Sequence, residues 1–410
     1  MYYIIVTPTI DNMGGAQMYV RNKLLFLESL GWRVQIITAE ANKNILIPEL
    51  LPYKDNHWGE LRFNSYEQSR SRVKKVVSEI LISLGRLTDE SSIIVESTCM
   101  EEATWGEIIA QKLRAKHLFY SLQESNSATN TGVREFLIFK HDRREFAGIG
   151  QHSLYTLFKS FHPIEIAKSY KLDASANNVE ADVGHPFIDT IKKNKYDTII
   201  GCLSRLDKPF VAEGINGVAQ YGKMHPEKNI LLLLIGGGPR VYISSIQKIL
   251  EDIPNIEIKI TGYLYPIPTK LLDLCELFFA SAGCARVCQR SGIPTISFDC
   301  NDLRPIGIMG RTTTNSMFRN ENEPPLDFIN LLVDTLDNNR YPKETSNYIL
   351  RVPDYSSHLN FISQSKQSKS YYDVMSIKLA TEKEKMRSII LKTLGSEFYT
   401  WLSGIRIKRK

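Results

Sequence analysis

The stretch NILLLLIGGGPR, residues 229–240, joins an unbroken apolar run to three consecutive glycines. The apolar run predicts a β-strand, and it is far too short to span a bilayer. Three glycines directly after a strand are costly in conformational entropy. We therefore expect a ligand or a neighbouring backbone segment to approach closely at this turn.

The pattern around this stretch alternates short β-rich runs with longer helical ones. In the N-terminal half, strands are predicted at 2–8, 33–39, 92–98, 116–122 and 145–151, with a helix at 16–30. In the C-terminal half, strands are predicted at 197–206, 229–237, 256–264, 277–283 and 294–300, with helices at 210–221 and 241–251. This alternation is typical of parallel sheets covered by helices.

A polar, proline-containing stretch at 175–195 separates the two halves and shows no clear periodicity. We predict an α/β fold with two Rossmann-like domains whose parallel sheets face a cleft. The predicted domains are residues 1–185 and 196–345, followed by a helical extension at 346–410. Such sheets bind ligands at the carboxyl ends of their strands, so the loops there should hold the chemistry.

The composition and the N-terminal sequence limit which partners the protein could bind and in which cellular compartment we expect it. The 410 residues include 51 Lys or Arg and 45 Asp or Glu, and this net charge of +6 favours anionic partners without requiring a nucleic acid. The N-terminus has no signal-peptide pattern, which predicts a cytoplasmic protein. The six cysteines are scattered without zinc-site or CxxC spacing, which predicts reduced thiols and no metal.

Two adjacent glycines, Gly14 and Gly15, follow the first predicted strand and precede a helix. There the backbone can turn sharply, and free N–H groups at the helix start suit an anionic ligand. The sequence contains neither the dinucleotide fingerprint G-x-G-x-x-G nor a P-loop at this point. A turn needed only for packing is the alternative.

The strand ends of the second half carry cations and small residues. Arg205 and Lys208 follow one strand, where a guanidinium and an ammonium could reach a diphosphate; solvated surface cations are the alternative. Further predicted contacts are glycines or small residues at strand ends: Gly236, Gly237, Gly262, Ser281, Ala282 and Gly283. The last three precede a helix whose amides could meet phosphate or sugar oxygens.

The order of GGAQ, SRLDK, LIGGGP, ITGYL and ASAG…SGIPTISFD resembles glycosyltransferase family 4 and its relatives. Those enzymes are retaining and metal-independent, and they have the GT-B architecture. The resemblance covers roughly residues 1–340 and is densest at 199–299. The run from SAG through GIPTI to 315 further resembles transferases of bacterial capsule and O-antigen clusters.

The resemblance implies transfer of a sugar from a nucleotide-diphosphate donor to a saccharide or lipid-linked acceptor, with no cofactor. It places Gly14 and Gly15 against the donor phosphates and the acceptor. It makes Arg205 and Lys208 the cations that neutralise the diphosphate. The N-terminal domain would then be the acceptor side, and the C-terminal domain the donor side.

The sequence departs from the family in two places. The family's two glutamates before G-x-P are absent, and Asp299, Asn301 and Asp302 are possible replacements for ribose recognition. The family's histidine is also missing, and Glu124 stands in the corresponding loop, so we predict it as the catalytic carboxylate. Glu96 is a second possibility, although a carboxylate at a strand end is more often a cap or a salt-bridge partner.

These departures keep other functions open. A catalytically silent GT-B protein that binds or activates a partner transferase is one, and a GT-B sugar-nucleotide epimerase is another. The absent glycine fingerprint argues against a nicotinamide dehydrogenase.

The C-terminal tail has an amphipathic pattern with a basic end. An apolar stripe in the tail is expected to pack on a domain: Ile389, Leu391, Leu394, Phe398, Trp401 and Leu402. Because the last five residues are mostly basic and lie near aromatic residues, peripheral contact with an anionic membrane is the alternative.

Overall fold

The computed structural model describes residues 1–85, 93–122, 131–150, 154, 157, 168–176, 180–320, 322–348, 352–366 and 370–408. Its strands are β1 Tyr2–Thr7, β2 Arg33–Thr38, β3 Ile93–Ser97, β4 Lys116–Ser121, β5 Phe146–Gly148, β6 Glu180–Ala181, β7 Thr198–Leu203, β8 Ile230–Ile235, β9 Ile256–Ile260, β10 Ile267–Pro268, β11 Leu277–Ala280, β12 Thr295–Phe298 and β13 Pro305–Ile308.

The helices are α1 Gly15–Ser29, α2 Arg70–Ser83, α3 Met100–Leu113, α4 Thr131–Asp142, α5 Pro186–Asp189, α6 Pro209–Met224, α7 Arg240–Ile249, α8 Thr269–Leu272, α9 Ala282–Arg290, α10 Phe328–Leu336, α11 Ser356–Ser363, α12 Glu382–Thr393 and α13 Gly395–Lys408. Short 3₁₀ turns occur at Pro48–Tyr53, Gly59–Arg62, Ser65–Glu67, Lys168–Tyr170, Lys193–Lys195 and Val374–Ser376. Among the described residues, no helix combines the length and the apolar character that crossing a membrane requires.

The chain divides into two compact units. The first contains Met1–Asn12, Tyr19–Ser175 and Pro353–Lys410, and the second contains Met13–Met18 and Ala176–Val352. The C-terminal residues therefore return to the first unit, and the Gly14–Gly15 turn groups with the second.

The first unit is built on a parallel five-stranded sheet in the order β2-β1-β3-β4-β5. In β1, Tyr3 pairs with Val34 of β2 on one side and with Ile94 of β3 on the other. Helix α3 packs on this sheet through Trp105 and Ile109, which are fully buried. Because β1 and β3 are neighbours while β2 lies outside them, the strand order reverses between β1 and β3.

The second unit is built on a six-stranded sheet in the order β13-β12-β11-β7-β8-β9. All neighbours are parallel except β12 and β13, which are antiparallel. Every residue of β7 and β8 is buried, whereas edge strand β9 is mostly half-buried. The unbroken apolar run at 230–235 is thus explained by a strand covered on both faces.

The predicted α/β fold with two Rossmann-like domains is confirmed by these two sheets; the cleft between the domains stays a prediction. Residues 305–308 form strand β13, which the sequence patterns did not predict, and the Ile308 amide donates to Thr312 Oγ1 at 2.8 Å. A glycine at position 307 hides this strand from a propensity argument.

Candidate functional site

In each sheet, the loops that flank the strand-order reversal are the expected place for a ligand. In the second unit the reversal falls between β7 and β11. The loop after β7 contains Arg205 and Lys208, and the loop after β11 contains Ser281. Topology therefore brings these predicted residues to one edge of one sheet.

The loop after β7 presents Arg205 to solvent. Its guanidinium contacts Asp207, with Nη2 at 3.2 Å from Oδ2 and Nε at 3.2 Å from Oδ1. Lys208 is half-buried and directly precedes helix α6, which Pro209 opens. The guanidinium pairs with the half-buried carboxylate of Asp207 two residues away, and an incoming phosphate could compete for it.

The three glycines after β8 hold this loop in place. Gly236 has φ +152°, and a Cβ there would lie 1.8 Å from the carbonyl oxygen of Ser204. The Leu206 amide donates to the Gly237 carbonyl at 2.9 Å, and a Cβ at Gly238 would lie 3.2 Å from Leu206 Cβ. Of the two explanations expected for this turn, approach of neighbouring backbone accounts for Gly236.

The next strand end adds an open glycine and an aromatic ring. Gly262 has φ +73°, and apart from its two chain neighbours no described residue has an atom within 4 Å of the position that its Cβ would occupy. A Cβ at Gly237 would lie 2.7 Å from the Tyr263 ring. The pKa of the Tyr263 hydroxyl is raised, mainly by partial burial. The charge of Asp207 adds to this increase, and the charge of Arg205 opposes it. Tyr263 was missed by the sequence argument, because a tyrosine after a strand carries no signal of its own.

The Gly14–Gly15 turn lies beside Arg205 within the second unit. A Cβ at Gly14 would lie 3.9 Å from Arg205 Cδ. Helix α1 starts at Gly15, and apart from its chain neighbours and the backbone of α1 itself, no described residue has an atom within 4 Å of the position for a Cβ there. A helix N-terminus, an open glycine and a guanidinium thus meet at one place, which is an arrangement suited to an anion.

The loop after β11 offers a ligand fewer polar groups than the sequence predicted. The Ser281 hydroxyl donates to the Phe298 carbonyl at 2.8 Å, and the Ala282 amide donates to the Ser316 carbonyl at 2.5 Å. Ala282 has φ +55°, an unfavourable conformation for a residue with a side chain. Both polar groups are occupied inside the protein, whereas Gly283 lies half-buried in the first turn of α9.

The aspartates suggested for ribose recognition stabilise a turn. Asp299 is buried and accepts from the amides of Asn301 and Arg319, each at 2.7 Å. Asp302 accepts from the Arg319 guanidinium at 2.8 Å. These contacts give Asp299 and Asp302 a structural task.

The predicted catalytic Glu124 lies outside the described residues, so its role stays a prediction. The second possibility, Glu96, is fully buried in β3 and accepts from the hydroxyls of Tyr3 and Tyr19, each at 2.6 Å, and from the ammonium of Lys23. Burial raises the pKa of both tyrosines and lowers that of Lys23. Glu96 is therefore the salt-bridge partner given as the alternative for a carboxylate at a strand end, and its catalytic role stays an untested prediction.

One further carboxyl group near the reversal point of the first sheet escaped the sequence argument. Glu102 lies in the first turn of α3 and is 2% exposed. Its Oε2 has no hydrogen-bond partner among the described residues. Burial, with a smaller contribution from Glu101, raises the pKa of Glu102 to about 8. An acidic residue at the start of a helix is normally interpreted as an exposed charge that stabilises the helix N-terminus. The burial of Glu102 could therefore be seen only in the packing.

Two Rossmann-like units with these sheets define the GT-B fold. HepE from Anabaena in complex with UDP-glucose is similar over 95% of this chain and 99% of its own, with a TM-score of 0.56 and 12% identity. HepE with UDP and glucose is similar over 98% of this chain and 100% of its own, with a TM-score of 0.55 and 11% identity. A glycosyltransferase from Rickettsia africae is similar over 96% and 99%, with a TM-score of 0.54 and 15% identity.

At these identities the similarity establishes the fold. No family model matches the chain, and no curated protein matches its sequence.

Proposed function

We propose that this protein is a glycosyltransferase that takes its sugar from a nucleotide-diphosphate donor bound at the carboxyl edge of the second sheet. The observation that carries the proposal is the meeting of Arg205 with the Gly14–Gly15 helix start. When the glycosidic bond breaks, negative charge accumulates on the leaving diphosphate. A fixed guanidinium and backbone amides can stabilise that charge without a metal.

The similarity to HepE supports a sugar nucleotide as the ligand class, because HepE was solved with UDP-glucose. The finer features come from the sequence resemblance: a saccharide or lipid-linked acceptor, retention of configuration and a place in bacterial capsule or O-antigen synthesis. Glu124 is the proposed catalytic carboxylate, and Lys208 the second cation at the diphosphate.

Replacing Arg205 by Ala should weaken donor binding by about 1.5 to 3 kcal/mol, roughly 10- to 150-fold in Kd, because a charge-assisted phosphate contact is lost. Isothermal titration with UDP-glucose and other sugar nucleotides measures this. Arg340→Ala is the matched control, since Arg340 forms an exposed pair with Asp334 at 2.9 Å in the same unit. Equal losses in both variants would remove Arg205 from the site.

Replacing Gly15 by Ala should leave the free energy of unfolding within about 1 kcal/mol of the wild type. The added methyl group would occupy the space at the start of α1, and we expect donor affinity to fall about tenfold or more. Gly184→Ala is the control, because a Cβ there also meets open space among the described residues. Unchanged affinity of the Gly15 variant would place the phosphates elsewhere.

Turnover separates the transferase from the two rival functions. Transfer or donor hydrolysis that is lost in Glu124→Gln, with donor binding retained, supports the enzyme. Nucleotide binding without turnover for any acceptor supports the silent GT-B protein. Appearance of an epimerised sugar in the absence of an acceptor, rather than the unchanged sugar that simple donor hydrolysis releases, supports the epimerase.

A further inference from the structure

The last two helices expose apolar side chains that were expected to be packed. The exposed set, here called the C-terminal apolar surface, is Met386, Ile389, Leu394, Phe398 and Trp401. Trp401 is 60% exposed, and its ring lies 5.5 Å from that of Phe398. Of the predicted stripe, Leu391 is buried and Leu402 is half-buried. The prediction that this stripe packs on a domain was therefore wrong for four of its six residues.

This exposure arises although both helices are docked by their other faces. In α12, Arg387 pairs with the buried Glu67, and the Ser388 hydroxyl donates to the Glu67 carbonyl at 2.7 Å. In α13, the Tyr399 ring lies 5.3 Å from that of Phe63. The apolar side chains are thus held outward on anchored helices. An exposed apolar surface of this kind marks an interaction site.

The same segment carries nearly all of the chain's net charge. Residues 382–410 contain eight Lys or Arg and three Glu, a formal net charge of +5 out of +6 for the whole protein. On α12, Lys385 and Lys392 are exposed and flank Met386 and Ile389 along the helix. Basic residues beside apolar and aromatic ones are the composition of helices that lie in the interface of a bilayer.

A polar groove adjoins this surface where α12 meets α13. Its lining is mostly hydroxyl and cationic, and it includes Ser69, Ser71, Arg72, Lys75, Lys392 and Thr393. Arg72 is held by Glu60, at 3.0 Å from its Nε, whereas the Lys75 side chain is 68% exposed. Hydroxyl groups and ammonium groups beside apolar side chains match the phosphate end of a phospholipid.

We propose that this end of the protein binds the surface of a membrane that contains anionic phospholipids. Met386, Ile389, Leu394, Phe398 and Trp401 enter the boundary between headgroups and acyl chains, and the lysines contact lipid phosphates. A bilayer fits better than a second copy of the chain, since two segments of charge +5 repel each other. It fits better than a nucleic acid, which would leave the aliphatic side chains exposed. The proposal is independent of the nucleotide site.

The test is co-sedimentation of the full chain with vesicles of phosphatidylcholine alone and of phosphatidylcholine with phosphatidylglycerol. We expect binding to the anionic vesicles only, a blue shift of Trp401 emission, and release at high salt. Trp401→Ser and Phe398→Ser should each lower the partition coefficient about tenfold or more. Lys392→Gln should lower it about fivefold.

Two control variants separate membrane insertion from general effects. Ile82→Ser removes an apolar side chain that is 79% exposed on α2, and its binding should match the wild type. Trp401→Phe should keep binding but lose the blue shift. Absence of binding to anionic vesicles would overturn the proposal, as would equal binding to neutral ones. Self-association abolished by Trp401→Ser, without vesicle binding, would assign the surface to a second copy instead.

Discussion

Replacing Lys23 by Met is expected to lower the free energy of unfolding by about 3 to 5 kcal/mol, because the Glu96 carboxylate would stay buried without its cation. The Lys23 ammonium is fully buried on α1 and pairs with Glu96 on β3. Two tyrosine hydroxyls also donate to this carboxylate, and the His358 Nδ1 lies 3.2 Å from the ammonium. Urea unfolding at neutral pH measures the loss.

The control is Lys75→Met, which breaks a surface pair with Glu79 at 3.8 Å and should cost less than about 1 kcal/mol. The double variant Lys23→Met with Glu96→Gln should recover most of the stability, since it removes the uncompensated charge. If Lys23→Met cost no more than Lys75→Met, the buried pair would not be the structural element described above.

Replacing Glu102 by Gln should raise the free energy of unfolding, which is the opposite of the effect expected for Lys23→Met. Below about pH 4.5 the carboxyl group holds a proton in both the folded and the unfolded chain. Between that pH and about 8 only the folded chain holds it, so the wild type loses stability as the pH rises. Gln carries no such penalty, and the variant should gain on the order of 3 kcal/mol at pH 7 and almost nothing at pH 4.5.

Thermal or urea unfolding of the wild type and Glu102→Gln across this pH range tests the sign directly. Glu79→Gln removes an exposed carboxylate from the same unit and should keep the pH dependence of the wild type. A variant with the same slope as the wild type would show that the Glu102 carboxyl group finds a partner in solution. Sugar-nucleotide turnover of the same variant would show whether this unfavourable group serves the reaction.

Local patterns predicted the strands and the glycine turns well. The apolar run at 230–235 could only be a short buried element, and the structure makes it the fully buried interior strand β8. The predicted helix at 210–221 lies within α6, Pro209–Met224. These features depend on neighbours in sequence, which periodicity and turn chemistry report.

Contacts between residues far apart in the sequence could not be predicted from these local patterns. Ser281 and Ala282 have the small size expected of a phosphate-binding turn, yet their polar groups bond to Phe298 and Ser316. Glu96 has the position of a catalytic group and the environment of a structural one. A hydrogen-bond partner tens of residues away cannot be recognised from the local sequence. Whether a polar group is free to bind a ligand therefore could not be predicted from the pattern around it.

Local sequence patterns were enough to specify the alternation of strands and helices, hence two Rossmann-like sheets, and the residue types at their carboxyl ends. Packing in three dimensions was needed to show that the Gly14 turn lies beside Arg205, that Glu102 Oε2 is buried without a hydrogen-bond partner among the described residues, and that Trp401 faces outward. The reason is that periodicity specifies which face of an element is apolar. What covers that face depends on packing between segments far apart in the chain.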